Sequence, residues 1–133
     1  MRRLSHNLSP ELGVFLFRVF LGTVLIWGVV DNVVSRERML EFSDFLARNG
    51  FPVPWYCAHL SVYAQLVCGG LLVVGAFTRA AAAVMVVHFL VALGMVHVGL
   101  PFSANIAPLA MLFGAILFLF HGGGAYSVDA RRR

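Results

Sequence analysis

Residues 11–34 read ELGVFLFRVFLGTVLIWGVVDNVV. Between Glu11 and Asp31 this run has a single charged residue, Arg18. A helix that crosses the hydrocarbon core of a bilayer, about 30 Å thick, needs about 20 mostly apolar residues, so the run predicts a transmembrane helix. Three more runs of this kind follow, and the four predicted spans cover residues 11–34, 55–77, 80–98 and 103–121.

The composition excludes a water-soluble domain. Of the 133 residues, 60% are apolar or aromatic and 12% are charged, and the mean hydropathy is +0.87. A soluble chain of this length leaves about a third of its surface exposed, and so few charged residues cannot cover that surface. We therefore predict an all-α fold: an integral membrane four-helix bundle formed as one domain by residues 1–133. It is expected to contact membrane lipid and to be multi-pass in the cytoplasmic (inner) membrane.

The arginines predict how the bundle is oriented, because short cytoplasmic loops carry an excess of basic residues. Six of them fall on one side of the membrane if both termini are cytoplasmic: Arg2, Arg3, Arg79 and Arg131 to Arg133. This placement accounts for the net charge of +4, so we expect no nucleic-acid partner. The prediction is an N-in, C-in topology in which the first span is kept as a signal anchor.

The loop between the first two spans predicts a short amphipathic helix over about residues 36–48. Ser35 is a typical N-cap, Met39 and Leu46 recur at helical spacing, and Asn49-Gly50 is a typical stop. Such a helix lies flat on the membrane or on the bundle. It serves either as a passive cover of the bundle, which is the more common arrangement, or as a gate for a lipid-soluble ligand.

Two polar side chains inside the spans are candidates for ligand binding, because polar groups are costly within the membrane. Arg18 either snorkels toward water and toward Glu11, two turns earlier, or points into the bundle and binds a carbonyl or an anionic group. Gln65 lies near the middle of the second span on a face of small residues. It either joins two helices, which is the ordinary use of such a face, or holds a ligand oxygen.

Two histidines predicted at the outer rim form the other candidate. His59 in the second span and His97 in the third lie at similar depth, and such a pair can ligate a haem or pass protons to a quinone. No haem-attachment pattern is present, so haem is disfavoured. Cys57 and Cys68 are too far apart along one helix to form a disulfide. No metal-ligand spacing occurs in the sequence, so we expect no bound metal.

The order of several short motifs is similar to one known family. Arg18 with Leu21-Gly22 lies in the first span, and a residue pair, Thr78-Arg79, precedes the third. The other matching pieces are the runs GFPVP at 50–54, GGLL at 69–72 with Gly75, and GGGAYSVD at 122–129. The last resembles the family ending G-x-G-x-x-S-x-D. Over nearly its whole length the chain resembles the DoxX family of small four-helix membrane proteins.

This resemblance implies a place in membrane oxidoreductase systems. The family includes the small subunit of a thiosulfate:quinone oxidoreductase and a membrane partner of thiol and superoxide defence proteins. Family members often have Glu where this chain has Gln65, a second Glu where it has Asn105, and Arg in place of Ala125. The two substitutions in the spans remove charge but keep a hydrogen-bonding shape, which argues against a proton-coupled role that needs the carboxylates.

Two hypotheses of function follow. In the first, the chain is a subunit of a membrane-bound oxidoreductase, inactive alone, that binds a quinone or another lipophilic redox molecule. Arg18, Gln65 and Asn105 would then bind the cofactor, and His97 with His59 would exchange protons in catalysis. In the second, the chain is a non-catalytic accessory or assembly subunit that docks on a larger membrane complex or on further copies of itself. A small-solute transporter is disfavoured, because the spans show no inverted repeat.

Overall fold

The structure is a computed structural model that describes residues 9–132. The described residues are 80% helix and contain no strand, which confirms the all-α fold class. The helices are α1 (Pro10–Trp27), α2 (Val30–Val34), α3 (Arg36–Arg48), α4 (Pro54–Val74), α5 (Thr78–Met95), α6 (Phe102–His121) and α7 (Val128–Arg131). Four segments are long and apolar enough to cross a membrane: Pro10–Val34, which joins α1 and α2, and the helices α4, α5 and α6.

The two ends of the bundle differ in what covers them. We call the end where α1 begins and α6 finishes the terminal end, and the opposite end, which carries α3, the loop end. Three of the arginines that predict the orientation, Arg2, Arg3 and Arg133, lie outside the described residues. The N-in, C-in topology therefore stays a prediction, and the two ends are named without reference to it.

The close approach of α1 and α4 depends on two glycines. A Cβ atom built on Gly22 would lie 2.6 Å from the carbonyl oxygen of Gly69, and one built on Gly69 would lie 2.9 Å from that of Gly22. Apolar side chains have no reason to leave lipid for one another, so small residues that let backbones touch are the usual basis of helix association in membranes. This contact holds α1 against α4, while α5 packs mainly on α6.

The helix α3 covers the loop end, as its pattern predicts. The hydroxyl of Ser35 accepts a hydrogen bond from the Arg38 amide, and the helix ends just before Asn49-Gly50. Met39 and Leu46 are buried against Ala58 and Val62 of α4, forming an apolar cluster separate from the main core. The main core lies among the four spans and includes Leu21, Leu25, Leu72, Met85 and Phe118.

The predicted first span is not one continuous helix. The helix is interrupted between Trp27 and Val30. There the amide of Val29 donates to the Ile26 carbonyl at 3.1 Å instead of to the Leu25 carbonyl one residue earlier. Gly28, at the break, has a poor helix propensity. The carbonyl of Leu25 thereby loses its partner in the helical ladder, which an unbroken span would have supplied.

The boundaries of two other predicted spans also shift. The second span was expected to run to residue 77, but α4 ends at Val74, and Gly75 and Phe77 turn the chain with φ of 75° and 47°. The third begins two residues earlier than predicted and ends at Met95. His97, expected inside that span, thus lies beyond the end of the helix.

Replacing Gly22 by leucine tests the contact between α1 and α4. We expect Gly22→Leu to lower the free energy of unfolding by about 1–3 kcal/mol, because the added side chain must push two backbones apart. The matched control is Gly13→Leu, since a Cβ on Gly13 meets nothing within 4 Å. Thermal unfolding of both variants in the same detergent gives the measurement, and equal losses in the two would contradict this account of the contact.

Candidate functional site

Arg18 is the most deeply buried charged residue in the described part of the chain, with 1% of its surface exposed. Its Nε donates to the Leu72 carbonyl at 2.8 Å and its Nη2 to the Tyr126 carbonyl at 2.9 Å, while Nη1 donates to the carbonyl of Gly123. Of the two orientations left open by the sequence, the structure therefore has the one in which Arg18 points into the bundle and binds carbonyl groups.

The three acceptors explain why an arginine is needed at this position. The Leu72 carbonyl belongs to the last turn of α4, where carbonyls have no partner within the helix. Those of Gly123 and Tyr126 belong to the segment after α6. A planar guanidinium with several fixed donors can reach all three at once, which a lysine ammonium cannot do with the same geometry. Gly75 leaves room for the group, since a Cβ there would lie 3.0 Å from Arg18 Cζ.

Asp129 caps the start of α5 from a distance of about fifty residues in sequence. Phe77, at the N-cap position, has no side chain that can accept a hydrogen bond. The carboxylate of Asp129 replaces it, because its Oδ1 accepts from the amide of Phe77 at 2.8 Å and its Oδ2 from that of Thr78 at 2.9 Å. Partial burial raises the pKa of this carboxyl, but the two amide donors and the nearby Arg132 lower it by a larger amount. The pKa therefore lies below its usual value.

We call residues 122–132 the terminal cap, because this segment is tied to α1, α4 and α5. Beside the bonds that Arg18 donates and the Asp129 carboxylate accepts, the amide of Ala125 donates to the Glu11 carboxylate at 2.8 Å, and the amide of Asp129 donates to the Gly75 carbonyl at 3.0 Å. Ser127 closes the segment on itself, accepting from the Ala130 amide and donating to the Gly124 carbonyl. Glu11 thus holds the cap instead of pairing with Arg18.

Gln65 joins two helices. Its Nε2 donates to the Leu25 carbonyl at 2.9 Å, which is the carbonyl left without a ladder partner by the break at Gly28. The side chain amide of α4 thereby replaces the missing backbone donor of α1. This is the structural alternative for Gln65 described above, and its role as a cofactor ligand stays a prediction.

The remaining predicted site residues lie toward the loop end, on different surfaces. His59 Nδ1 lies 2.8 Å from the carbonyl of Trp55, and its ring lies between those of Trp55 and Tyr63. Counting 100° per residue places His59 about 120° around α4 from Gln65, so these two side chains do not form one site.

His97 and Asn105 share an unusual property. Three buried side-chain atoms have no hydrogen-bond partner among the described residues: His97 Nδ1, Asn105 Oδ1 and Thr78 Oγ1. Thr78 lies at the terminal end, whereas His97 and Asn105 flank the connection between α5 and α6, where Pro108 inside α6 has no amide to donate to the Ala104 carbonyl. Buried polar atoms are normally paired, so a ligand at the loop end would find free groups at His97 and Asn105.

The described residues also include two thiols and two clefts. No group of three or more His, Cys, Asp and Glu side chains there is placed to hold a metal ion. Cys57 and Cys68 are both free thiols. Two clefts lie at the terminal end, around the cap: one of about 280 Å³ beside Glu11 and Gly124, and one of about 300 Å³ beside Phe77 and Arg79.

Comparison with known proteins identifies the family. The family model DoxX matches residues 13–98, which include Arg18, the Gly22 to Gly69 contact and Gln65. The chain belongs to the DoxX family. Neither the comparison with curated proteins nor that with solved structures gives a match. Together with the four apolar spans, the family makes the chain a multi-pass integral membrane protein and links it to oxidoreductase systems.

The structural role of the DoxX-like ending GGGAYSVD was missed from the sequence. Its Ser127 and Asp129 are spaced as an N-cap and a first-turn acid, and this signal was available at the start of α7. The hydrogen bonds donated by Arg18 and by the amides at the start of α5 gave no such signal, because they join residues 51 to 108 positions apart. In this DoxX protein the motif closes one end of the bundle.

Replacing Arg18 tests whether the terminal cap depends on it. We expect Arg18→Gln to leave buried carbonyls unpaired and to lower the free energy of unfolding by about 3 kcal/mol. Amide hydrogen exchange of peptides covering residues 122–132 should become faster, while peptides from α3 should not change. Arg36→Gln, which removes an exposed arginine of α3, is the control. Unchanged exchange in the cap of Arg18→Gln would show that the cap holds without this residue.

The Asp129 cap should make stability depend on pH. Because folding lowers the pKa of this carboxyl, its stabilising effect is present above its unfolded pKa, near 4, and is lost as the pH falls through the lower folded value. We expect Asp129→Asn to lose about 1 kcal/mol at pH 7 and to show a weaker fall in melting temperature below about pH 4 than the wild type. Asp44→Asn, on the exposed side of α3, should behave as the wild type does.

Proposed function

We propose that the chain is a non-catalytic accessory subunit of a membrane oxidoreductase system, which it stabilises by docking its helix faces on a larger complex. The observation that carries this proposal is the use of the polar groups in the spans. Arg18 and Gln65, the two that best suit a cofactor, already hold backbone carbonyls of the bundle itself.

A quinone at Arg18 or Gln65 would compete for nitrogens that already donate to backbone carbonyls. A quinone that displaced these bonds would release the Leu72 carbonyl in one case and the Leu25 carbonyl in the other. The usual helical donors to these two carbonyls, the amides of Ala76 and Val29, are bonded to other carbonyls. An acceptor left unpaired in an apolar interior costs about 1–3 kcal/mol. The fit between these two residues and a quinone is therefore poor, which favours a structural use for both.

The outside of the bundle offers ample surface for a partner. Large apolar side chains are exposed along α1 and α6, among them Phe20 at 61%, Trp27 at 78% and Phe120 at 77%. Gly70 and Gly94 also have nothing within 4 Å of a Cβ position, and small residues of this kind allow a second helix to come close. In the membrane these faces contact lipid or the helices of a partner, located by this proposal in the bacterial inner membrane.

A quinone-binding subunit is the second candidate, and His97 with Asn105 favours it. The unpartnered Nδ1 of His97 would donate to a quinone carbonyl oxygen when it carries the proton. The Asn105 side chain would donate to the quinone through its NH₂ group, which stands next to the unpartnered Oδ1. Here the chain's own residues would bind and orient the ligand, and His97 would hold or release a proton at Nδ1. The ligand itself would supply the two-electron chemistry.

One pair of measurements separates the two functions. The accessory role predicts that native membranes lacking the chain contain several-fold less of the assembled oxidoreductase complex. Adding back the wild type, Gln65→Leu or His97→Phe should restore the complex equally, because docking does not use these groups. Full recovery by the wild type alone would contradict an accessory role.

Tryptophan fluorescence gives the complementary test, since Trp27 and Trp55 lie toward the loop end. The purified chain is titrated with a short-chain ubiquinone. Free tryptophan, titrated in the same way, is the control for collisional quenching. The accessory role predicts no saturable quenching. Saturable quenching that His97→Phe and Asn105→Leu abolish and Gln65→Leu retains would establish the quinone role instead.

A further inference from the structure

The terminal end carries an excess of exposed positive charge. Arg79, Arg131 and Arg132 are exposed there, and the two carboxylates described in the same region, Glu11 and Asp129, accept hydrogen bonds from backbone amides. Among the described residues no ion pair joins any of these arginines to an acid. Their charge is therefore left for a partner from outside the chain.

One of these arginines, Arg79, lines a cleft, and a second, Arg132, lies against Phe77, which also lines it. This cleft, of about 300 Å³, is lined by Phe77, Thr78, Arg79, Gly122, Gly123 and Asp129. The guanidinium of Arg79 lies across Gly122, with Nε 3.2 Å from the position of a Cβ on that residue. The guanidinium of Arg132 lies 4.8 Å from the centre of the Phe77 ring, which is 56% exposed.

The cleft lies at the level where three spans end. The last residues of α4 and α6, Val74 and His121, and the first residue of α5, Thr78, are all at this end. Because the ends of spanning helices lie at the border of the hydrocarbon core, the cleft faces the layer of lipid headgroups. Exposed apolar residues adjoin this level, with Phe77 before α5 and Phe120 near the end of α6.

We propose that this cleft binds the phosphate group of an anionic phospholipid, held by Arg79 and Arg132, with the acyl chains lying along the neighbouring apolar surface. Guanidinium groups suit a phosphate because they donate two parallel hydrogen bonds to it. Basic pockets between helices at the membrane surface are the kind of site that anionic headgroups occupy. The proposal is independent of any redox function, since the site lies at the opposite end from His97 and Asn105.

Native mass spectrometry of the full chain in mild detergent tests the site. The protein is titrated in parallel with dioleoyl phosphatidylglycerol, which is anionic, and with dioleoyl phosphatidylcholine, which has no net charge. One arginine near the membrane surface strengthens anionic lipid binding by about fivefold, so the wild type should bind phosphatidylglycerol at least fivefold better. The double variant Arg79→Gln/Arg132→Gln should bind the two lipids alike.

The control keeps the change of charge but moves it to the other end. Arg36→Gln/Arg48→Gln removes two exposed arginines from α3 and should retain the preference of the wild type. Equal binding of both lipids by the wild type would overturn the proposal, as would an equal loss in the two double variants. Displacement of the bound lipid by inorganic phosphate at tenfold excess would also overturn it, because the site would then be one for small anions.

Discussion

The guanidinium of Arg18 is the group on which the rest of this bundle depends. A charge within a membrane span is costly unless it is paired or bonded, and here each of its three nitrogens meets a backbone carbonyl. Those carbonyls come from the end of α4 and from the segment after α6, so one side chain of α1 joins three parts of the chain. Gly75 is small because Arg18 and Ser127 fill the space that a larger residue would need, and Gly123 is small because Ser127 and Thr78 do.

A second polar side chain bonds a backbone carbonyl near the middle of the bundle. A break in the first span releases the Leu25 carbonyl, and the side-chain amide of Gln65 donates to it in place of a backbone amide. Polar side chains in the spans are thus matched to defects in the backbone ladder. An amide suits this position because it donates to a carbonyl, which an ionised carboxylate cannot do. The free polar atoms of His97 and Asn105 stand apart from this pattern.

Hydropathy and capping residues were enough to predict the architecture. The four spans follow from apolar length, and α3 follows from Ser35, its apolar spacing and Asn49-Gly50, because these are local properties. The terminal cap could not be predicted, since it depends on bonds between residues far apart in sequence. The break at Gly28 has a local signal in the poor helix propensity of glycine, but the side chain that replaces the lost bond, Gln65, is 40 residues away from Leu25. The two orientations of Arg18 were equally consistent with its position, and the partners that decide between them are 54 to 108 residues away. His59 and His97 both lie toward the loop end, but a shared end of the bundle does not determine the rotation of each helix.

The distance in sequence between Arg18 and its acceptors also bears on how the protein is made. The Gly123 carbonyl is synthesised 105 residues after Arg18, which takes roughly 5 to 20 s at ordinary rates of translation. During that interval the first helix must wait in the translocation channel, at the interface or beside a chaperone, with its charged group solvated by something other than its final partners. The charged group of the first helix therefore reaches its full set of acceptors only after Gly123 and Tyr126 have been synthesised.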